Sequence, residues 1–283
     1  MSAPVQGYVA AELARGGYQN VHDLLTLACA KHPHRTAFSC GDDRLSYADL
    51  ARQADAFARY LRHHAGLQPG DRLALQLPNS LQYPIATFGA LKAGLVIVNT
   101  NPQYTAAEAR HQFRDSGARA ILVLDRLLPL VRAVQADTAL ERIILTSVED
   151  LQAPVYDSQE PATERFMQAL RLGEQSPALD CVVGLERLAL LQYTGGTTGV
   201  SKGAMLSHRN LLANHQLNAF TPLLTRIWRH RAVASSAVPG LPWISPSSSR
   251  TESQPTTRVG HSTPSAVNRS ATSYPFALAR WRA

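Results

Sequence analysis

The sequence has few cysteines and no long hydrophobic run. Its three cysteines, Cys29, Cys40 and Cys181, are odd in number and have no paired spacing. This excludes a disulfide framework and a cysteine metal site, and it favours a reducing compartment. No apolar run approaches the roughly 20 residues of a membrane span, and residues 1–20 lack the apolar core of a signal peptide. We therefore expect a cytoplasmic protein.

The last 65 residues lack lysine and contain one acidic residue. Residues 219–283 contain eight arginines and carry the whole net charge of +7, because residues 1–218 hold equal numbers of acidic and basic residues. Clusters of Ser, Pro and Gly recur there, with few aliphatic residues between them. Such a segment cannot bury enough apolar area to offset about 1–2 kcal/mol of backbone entropy per residue. We predict a disordered tail at 219–283, a folded part at 18–218 and an N-terminal arm at 1–17.

The folded part has the hydrophobic pattern of an α/β protein. Apolar stretches of strand length alternate with amphipathic stretches of helix length. This alternation is typical of a mostly parallel sheet flanked by helices with right-handed crossovers. Asn20, Ser46 and Thr105 are expected to cap helices. The predicted helices span residues 21–31, 46–65, 81–93, 105–115, 127–136 and 166–172, with a helix-like run at 208–217, and the predicted strands span 36–40, 72–77, 96–99, 118–124, 142–145 and 188–191.

A glycine- and threonine-rich stretch, residues 193–203, follows the last predicted strand. Its four glycines lack Cβ atoms, which lets the backbone turn sharply and approach a ligand. Free N–H groups, hydroxyls and one lysine together suit a polyphosphate. The alternatives are a flexible turn or a Walker A loop, but Lys202 stands between Ser and Gly, which excludes the Walker A pattern. The candidate phosphate-binding residues are Thr194, Gly195, Gly196, Thr197, Thr198, Gly199 and Lys202.

This stretch resembles the phosphate-binding signature of the AMP-forming adenylating enzymes, which include acyl-CoA synthetases, peptide-synthetase adenylation domains and luciferases. Three earlier stretches, 70–79, 82–94 and 98–105, resemble the bacterial long-chain fatty-acid–CoA ligases in the same order. The resemblance implies the N-terminal part of the adenylating-enzyme fold. It also implies that a fatty acid reacts with ATP and Mg²⁺ to give acyl-adenylate, which CoA converts to acyl-CoA and AMP.

The resemblance also implies roles for the candidate residues. The loop from Thr194 to Lys202 would hold the β- and γ-phosphates, and Thr194 would contribute to the magnesium environment. ATP, fatty acid and CoA are the implied partners, and association with the inner face of a membrane is consistent with the substrate. No residue is assigned a catalytic role, nucleic acid is not expected as a partner, and nothing indicates an oligomeric state.

The sequence after residue 217 departs from that family. We find no adenine-binding segment, no metal-binding glutamate in its usual motif, no ribose-binding aspartate and no C-terminal domain with a catalytic lysine. We therefore expect a truncated chain that is inactive as a ligase. A frameshift near codons 219–226 is our hypothesis for the tail, and the gene read in its other frames would test it. The alternatives are a non-catalytic remnant that binds nucleotide phosphates weakly, and a basic tail that binds anionic lipid or nucleic acid.

Other candidate residues have simpler interpretations. Ser207 is expected to cap the helix that begins near His208. Four further histidines are expected to be solvated, because no cysteine or carboxylate lies at metal-ligand spacing from them. They are His32, His34, His63 and His64. Asp42 and Asp43 indicate a turn, and Ser201 has no visible base partner for nucleophilic catalysis.

Overall fold

The computed structural model describes residues 17–148, 150–151, 160–194 and 201–215, all of which belong to one unit, Met1–Pro222. The predicted tail, residues 1–16 of the predicted arm, and residues 195–200 of the candidate loop lie outside the described residues. The predicted domain boundaries and the frameshift hypothesis therefore stay predictions.

Nine strands are assigned in the described residues. Two of them, β1 (Thr36–Cys40) and β2 (Asp43–Ser46), form a separate antiparallel hairpin. The others form a seven-stranded sheet in the order β7-β6-β5-β3-β4-β8-β9, and every neighbouring pair is parallel except β8 and β9. This confirms the predicted mostly parallel sheet. The sheet strands are β3 (Arg72–Gln76), β4 (Val96–Asn99), β5 (Ala118–Leu124), β6 (Arg142–Thr146), β7 (Thr163–Arg165), β8 (Leu188–Thr194) and β9 (Lys202–Ser207).

Helices flank this sheet and connect its parallel strands. A single 3₁₀ turn, Asp125–Leu127, precedes the fifth of them. None of the helices in the described ranges is long and apolar enough to cross a membrane. The helices are α1 (His22–Lys31), α2 (Tyr47–His63), α3 (Gln82–Lys92), α4 (Ala106–Ser116), α5 (Leu128–Gln135), α6 (Phe166–Glu174) and α7 (208–215).

The sheet is buried on both faces, as parallel sheets are. Successive residues of β5 alternate between two apolar clusters, because side chains of a strand point to opposite faces. Leu122 belongs to the cluster that α2, α3 and α6 cover, and Val123 belongs to the cluster that α4 and α5 cover. The second cluster includes Phe113 of α4 and Tyr193 of β8, and it lies beneath one end of the candidate site.

Two of the predicted helix caps are confirmed. Ser46 Oγ accepts a hydrogen bond from the Asp49 N–H at 3.1 Å, and Thr105 forms a complete capping box with Glu108. The prediction for Asn20 is wrong. Val21 precedes α1 without a side-chain cap, and the Asp23 carboxylate instead accepts hydrogen bonds from the backbone N–H groups of residues 19 and 20.

Three strands were not predicted from the sequence. β2 follows the turn at residues 41–42, and β7 is only three residues long. β9 begins at Lys202, which the sequence pattern placed inside the loop, and β8 continues to Thr194 rather than ending at residue 191. Each of these short segments obtains its backbone hydrogen bonds from a neighbouring strand, so its own residue pattern is a weak guide.

Candidate functional site

The two ends of the candidate loop face each other across an antiparallel strand pair. Thr194 is the register partner of Lys202, and the preceding Tyr193 is the partner of Gly203. Side chains of directly opposed residues lie on the same face of a sheet. The Thr194 hydroxyl and the Lys202 ammonium therefore belong to one face, and both residues are exposed. Lys202 forms no ion pair with any residue in the described ranges.

This hairpin emerges at the carboxyl edge of the parallel strands. β8 runs parallel to β4, with Gln192 opposite Asn99 at the end of that pair. Thr194 follows two residues later and so lies at the same edge. Open α/β sheets bind ligands outside the carboxyl ends of their strands. The position of the hairpin therefore suits a ligand site.

Amide side chains fix this edge of the sheet. The Tyr83 hydroxyl donates to Asn99 Oδ1 at 2.7 Å, and Asn99 Nδ2 donates to Gln192 Oε1 at 2.9 Å. Gln112 Nε2 of α4 donates to the Asn99 carbonyl at 2.7 Å. The chain of hydrogen bonds ties α3, β4, β8 and α4 together directly before the candidate loop. These residues were not predicted from the sequence, although amide side chains at strand ends are a recognisable signal.

Helix α4 also contacts both ends of the loop. The Tyr193 hydroxyl donates to Asp115 Oδ2 at 2.5 Å, and His111 Nε2 lies 2.9 Å from the Ser201 carbonyl oxygen. Burial, followed by the hydrogen bond to Asp115, raises the pKa of Tyr193 above its ordinary value. The hydroxyl therefore remains protonated and donates. His111 and Asp115 were not predicted as site residues, and their spacing of four residues on a capped helix was the available signal.

His208 is buried and contacts the backbone at the start of α1. Its Nδ1 accepts a hydrogen bond from the Val21 N–H at 3.2 Å, and its Nε2 has no hydrogen-bond partner within the described ranges. Burial lowers the pKa of His208 to about 4. A neutral imidazole against α1 joins α7 to the start of the domain. The predicted cap is confirmed, since Ser207 Oγ accepts from the Asn210 N–H at 3.3 Å.

The other histidines considered from the sequence are exposed, as expected. His64 Nε2 additionally lies 2.9 Å from Ser176 Oγ. Asp42 lies in the predicted turn, whereas Asp43 is the first residue of β2 and not part of the turn. These residues are distributed over the fold rather than gathered at the hairpin.

A magnesium ion at this edge of the sheet would need oxygen ligands. Within the described ranges, no group of three or more His, Cys, Asp or Glu side chains could hold a metal ion. Mg²⁺ takes oxygen ligands and often keeps waters and substrate phosphates in its shell. The exposed Thr194 hydroxyl is one suitable oxygen, so its role at the metal stays a prediction. Gly195, Gly196, Thr197, Thr198 and Gly199 lie outside the described residues.

Sequence comparison relates this chain to one family of enzymes. A family model described as AMP-binding enzyme matches residues 25–237. A long-chain-fatty-acid–CoA ligase of Salmonella typhimurium is 39% identical over 234 residues, which cover 76% of this chain and 42% of that protein. The corresponding ligase of Bacillus subtilis is 33% identical over 217 residues, covering 71% of this chain and 39% of that protein.

Solved structures share the fold. A long-chain-fatty-acid-CoA ligase from Archaeoglobus fulgidus superimposes with a TM-score of 0.58 at 25% identity, covering 69% of this chain and 38% of that one. An anthranilate CoA ligase in complex with anthranoyl-AMP gives a TM-score of 0.60 at 23% identity, covering 68% of this chain and 35% of that one. The chain spans about 42% of the length of the curated relatives named first.

Proposed function

Because the chain belongs to the AMP-binding enzyme family, we propose that the β8–β9 hairpin holds the β- and γ-phosphates of MgATP in a long-chain fatty-acid–CoA ligase reaction. One observation carries the proposal. Thr194 and Lys202 are register partners, so a hydroxyl and an ammonium lie on one face at the ends of the loop. The relatives that share this segment are named as fatty-acid–CoA ligases.

The chemistry of the pair suits a triphosphate. Phosphate oxygens accept hydrogen bonds, and charge-assisted donors are about twice as strong as neutral ones. The Lys202 ammonium should therefore contribute more to binding than the Thr194 hydroxyl. The Lys202 ammonium does not form an ion pair within the described part of the chain, so binding a phosphate breaks no described salt bridge.

In the proposed reaction the hairpin acts through position and charge. The carboxylate of the fatty acid attacks the α-phosphorus of ATP, and the bond to the β-phosphate oxygen breaks, which releases pyrophosphate. The thiol of CoA then attacks the acyl carbon and releases AMP. Donors already placed on the leaving pyrophosphate stabilise charge that develops on it and hold the α-phosphorus in line. Thr194 would help to hold a magnesium ion, which would neutralise part of the phosphate charge.

Phosphate binding by the 283-residue chain is the direct test. We would titrate the protein with magnesium pyrophosphate and MgATP by calorimetry and ligand-observed NMR, methods that reach millimolar affinities. Lys202→Ala should weaken binding at least about tenfold, which is the loss of one charge-assisted hydrogen bond. Lys31→Ala, which removes an exposed lysine in the last turn of α1, is the matched control.

The outcomes separate the alternatives. Equal affinity of wild type and Lys202→Ala would contradict the proposed site. Formation of palmitoyl-CoA from palmitate, MgATP and CoA would assign the whole reaction to the chain. Binding that depends on Lys202 without product would support a nucleotide-binding segment that does not turn over by itself.

A further inference from the structure

One face of helix α4 contacts the hairpin on both sides of the candidate loop. Tyr193, directly before Thr194, donates its hydroxyl hydrogen to Asp115 Oδ2 at 2.5 Å. Ser201, directly before Lys202, has its carbonyl oxygen 2.9 Å from His111 Nε2. Residues four apart lie on the same face of a helix. The two contacts therefore connect both ends of the loop to one surface.

The chemistry of each contact fixes its direction. The Ser201 carbonyl only accepts hydrogen bonds, so His111 Nε2 must carry the proton and donate. Asp115 accepts from the Tyr193 hydroxyl, and an ionised acceptor makes this a charge-assisted bond. The Tyr193 side chain is buried in the cluster beneath α4, which limits the positions that its hydroxyl can take.

The contacts lie on the face of the sheet opposite to the candidate phosphate donors. Successive residues of a strand alternate between faces. Tyr193 packs toward α4, so Thr194 and its partner Lys202 belong to the other face. The contacts with α4 can therefore hold the hairpin without occupying the space in which a ligand binds.

Helix α4 is itself held firmly. Its first turn has a complete capping box between Thr105 and Glu108. Phe113 is fully buried, and the Gln112 side chain donates to the carbonyl of Asn99 at the end of β4. A contact with α4 therefore fixes the position of the hairpin relative to the parallel strands of the sheet.

We propose that His111 and Asp115 are positioning residues of the phosphate site, and that they fix the two ends of the hairpin so that Thr194 and Lys202 keep their relative placement. This inference rests on the proposed role of the hairpin in phosphate binding. Donor groups that are already held in place lose less conformational entropy when a ligand binds, and the affinity rises accordingly.

Three single substitutions test the inference in the whole chain. His111→Leu and Tyr193→Phe each remove one contact and keep a side chain of similar volume. His111→Gln keeps an N–H donor at about the reach of Nε2, and it is the conservative variant that should restore function. The readouts are the affinity for magnesium pyrophosphate, the thermal midpoint, and hydrogen–deuterium exchange of peptides that cover 188–194 and 201–207.

We expect His111→Leu and Tyr193→Phe to weaken pyrophosphate binding about fivefold to tenfold. His111→Gln should stay within about twofold of wild type. Exchange should accelerate in the two hairpin peptides and remain unchanged in peptides from α2 and α3. A purely structural role would instead lower the thermal midpoint and accelerate exchange throughout the domain, without recovery of affinity in His111→Gln at equal stability.

The results also distinguish this inference from the function on which it rests. Wild-type affinity in His111→Leu and Tyr193→Phe would overturn it. If the wild type binds no pyrophosphate, the proposed function fails. Hydrogen–deuterium exchange of the variants then tests on its own whether the contacts with α4 fix the hairpin. Acceleration confined to the hairpin peptides supports this role, and unchanged exchange overturns it. If His111→Leu does not fold, Tyr193→Phe and His111→Gln still give the comparison.

Discussion

The aromatic ring of Tyr193 lies over Gly203, its partner across the β8–β9 pair. A Cβ atom at Gly203 would approach Cε2 and Cζ of this ring to 2.9 Å, which is closer than such atoms come in proteins. The same ring carries the hydroxyl that reaches Asp115 at 2.5 Å. The missing side chain at position 203 therefore makes room for the contact between the hairpin and α4.

Gly203→Ala should displace this ring. We expect the free energy of unfolding to fall by about 1–3 kcal/mol, the usual effect of overpacking a buried site, and the affinity for pyrophosphate to fall with it. Urea unfolding and calorimetry measure the two effects. Gly184→Ala is the matched control, because a Cβ atom there meets nothing within 4 Å. Equal stability of the two variants would contradict the prediction.

Two further glycines lie where helices cross α2. A Cβ atom at Gly173 of α6 would overlap the carbonyl oxygen of Ala56 in α2. At Gly89 of α3, the nearest atom is the Ala54 carbonyl oxygen at 2.8 Å. Backbone atoms cannot move aside as a flexible side chain can, so the helices must separate.

We therefore expect Gly173→Ala to lower the free energy of unfolding by about 3 kcal/mol, at the upper end of overpacking effects. Gly89→Ala should lower it by less, because the contact there is less severe. Urea unfolding of both variants, monitored by circular dichroism, gives the comparison. A larger loss in Gly89→Ala would show that the distance to the backbone does not decide the ranking.

Because of two histidines, the half-buried His22 and the buried His208, we predict that stability falls in mild acid. Burial, followed by the charge of Lys92, lowers the pKa of His22 from 6.5 to about 4, and burial lowers that of His208 from 6.5 to about 4. Between these values the unfolded chain binds protons that the folded chain does not bind. Their contribution is complete above pH 6.5 and is lost as the pH falls toward 4. Each should remove about 2 kcal/mol by pH 5.

Urea unfolding at pH 7.5 and pH 5.0 checks this effect. His208→Asn is the informative variant, because its side-chain oxygen can still accept from the Val21 N–H but does not titrate. Its loss of stability between the two pH values should be smaller than that of the wild type by about 2 kcal/mol. The same loss in both proteins would mean that His208 does not contribute.

Local signals in the sequence were sufficient for the helices capped by Ser46 and Thr105 and for the parallel strands other than β7. Ser46 and Thr105 cap through hydrogen bonds to residues three positions later, so the pattern contains both partners. The strand β9 was not predicted because Ala204 and Met205 are exposed and break any alternation. Its identity as a strand depends on pairing with β8 across the loop.

The site was predictable only in part, for the same reason. Glycines, hydroxyls and Lys202 are adjacent in the sequence, so their pattern points to phosphate binding. The residues that hold the hairpin are remote from it: His111 and Ser201 are separated by 90 positions, and Asp115 and Tyr193 by 78. The spacing of His111 and Asp115 marks one face of a helix, but the sequence contains no local signal for the residues that this face contacts, because they meet only after α4 packs on the sheet.

The capping box of α4 allows stability and positioning to be measured separately. Thr105→Ala removes the cap and should lower the free energy of unfolding by about 1 kcal/mol, whereas Thr105→Ser keeps the hydroxyl and should have little effect. His111 lies in the second turn and Asp115 in the last, beyond the residues that fray when a cap is lost. The folded fraction of Thr105→Ala should therefore bind magnesium pyrophosphate within about twofold of the wild type. Weakening as large as that expected for His111→Leu would mean that pyrophosphate affinity follows the stability of α4 as a whole, rather than the two contacts with the hairpin.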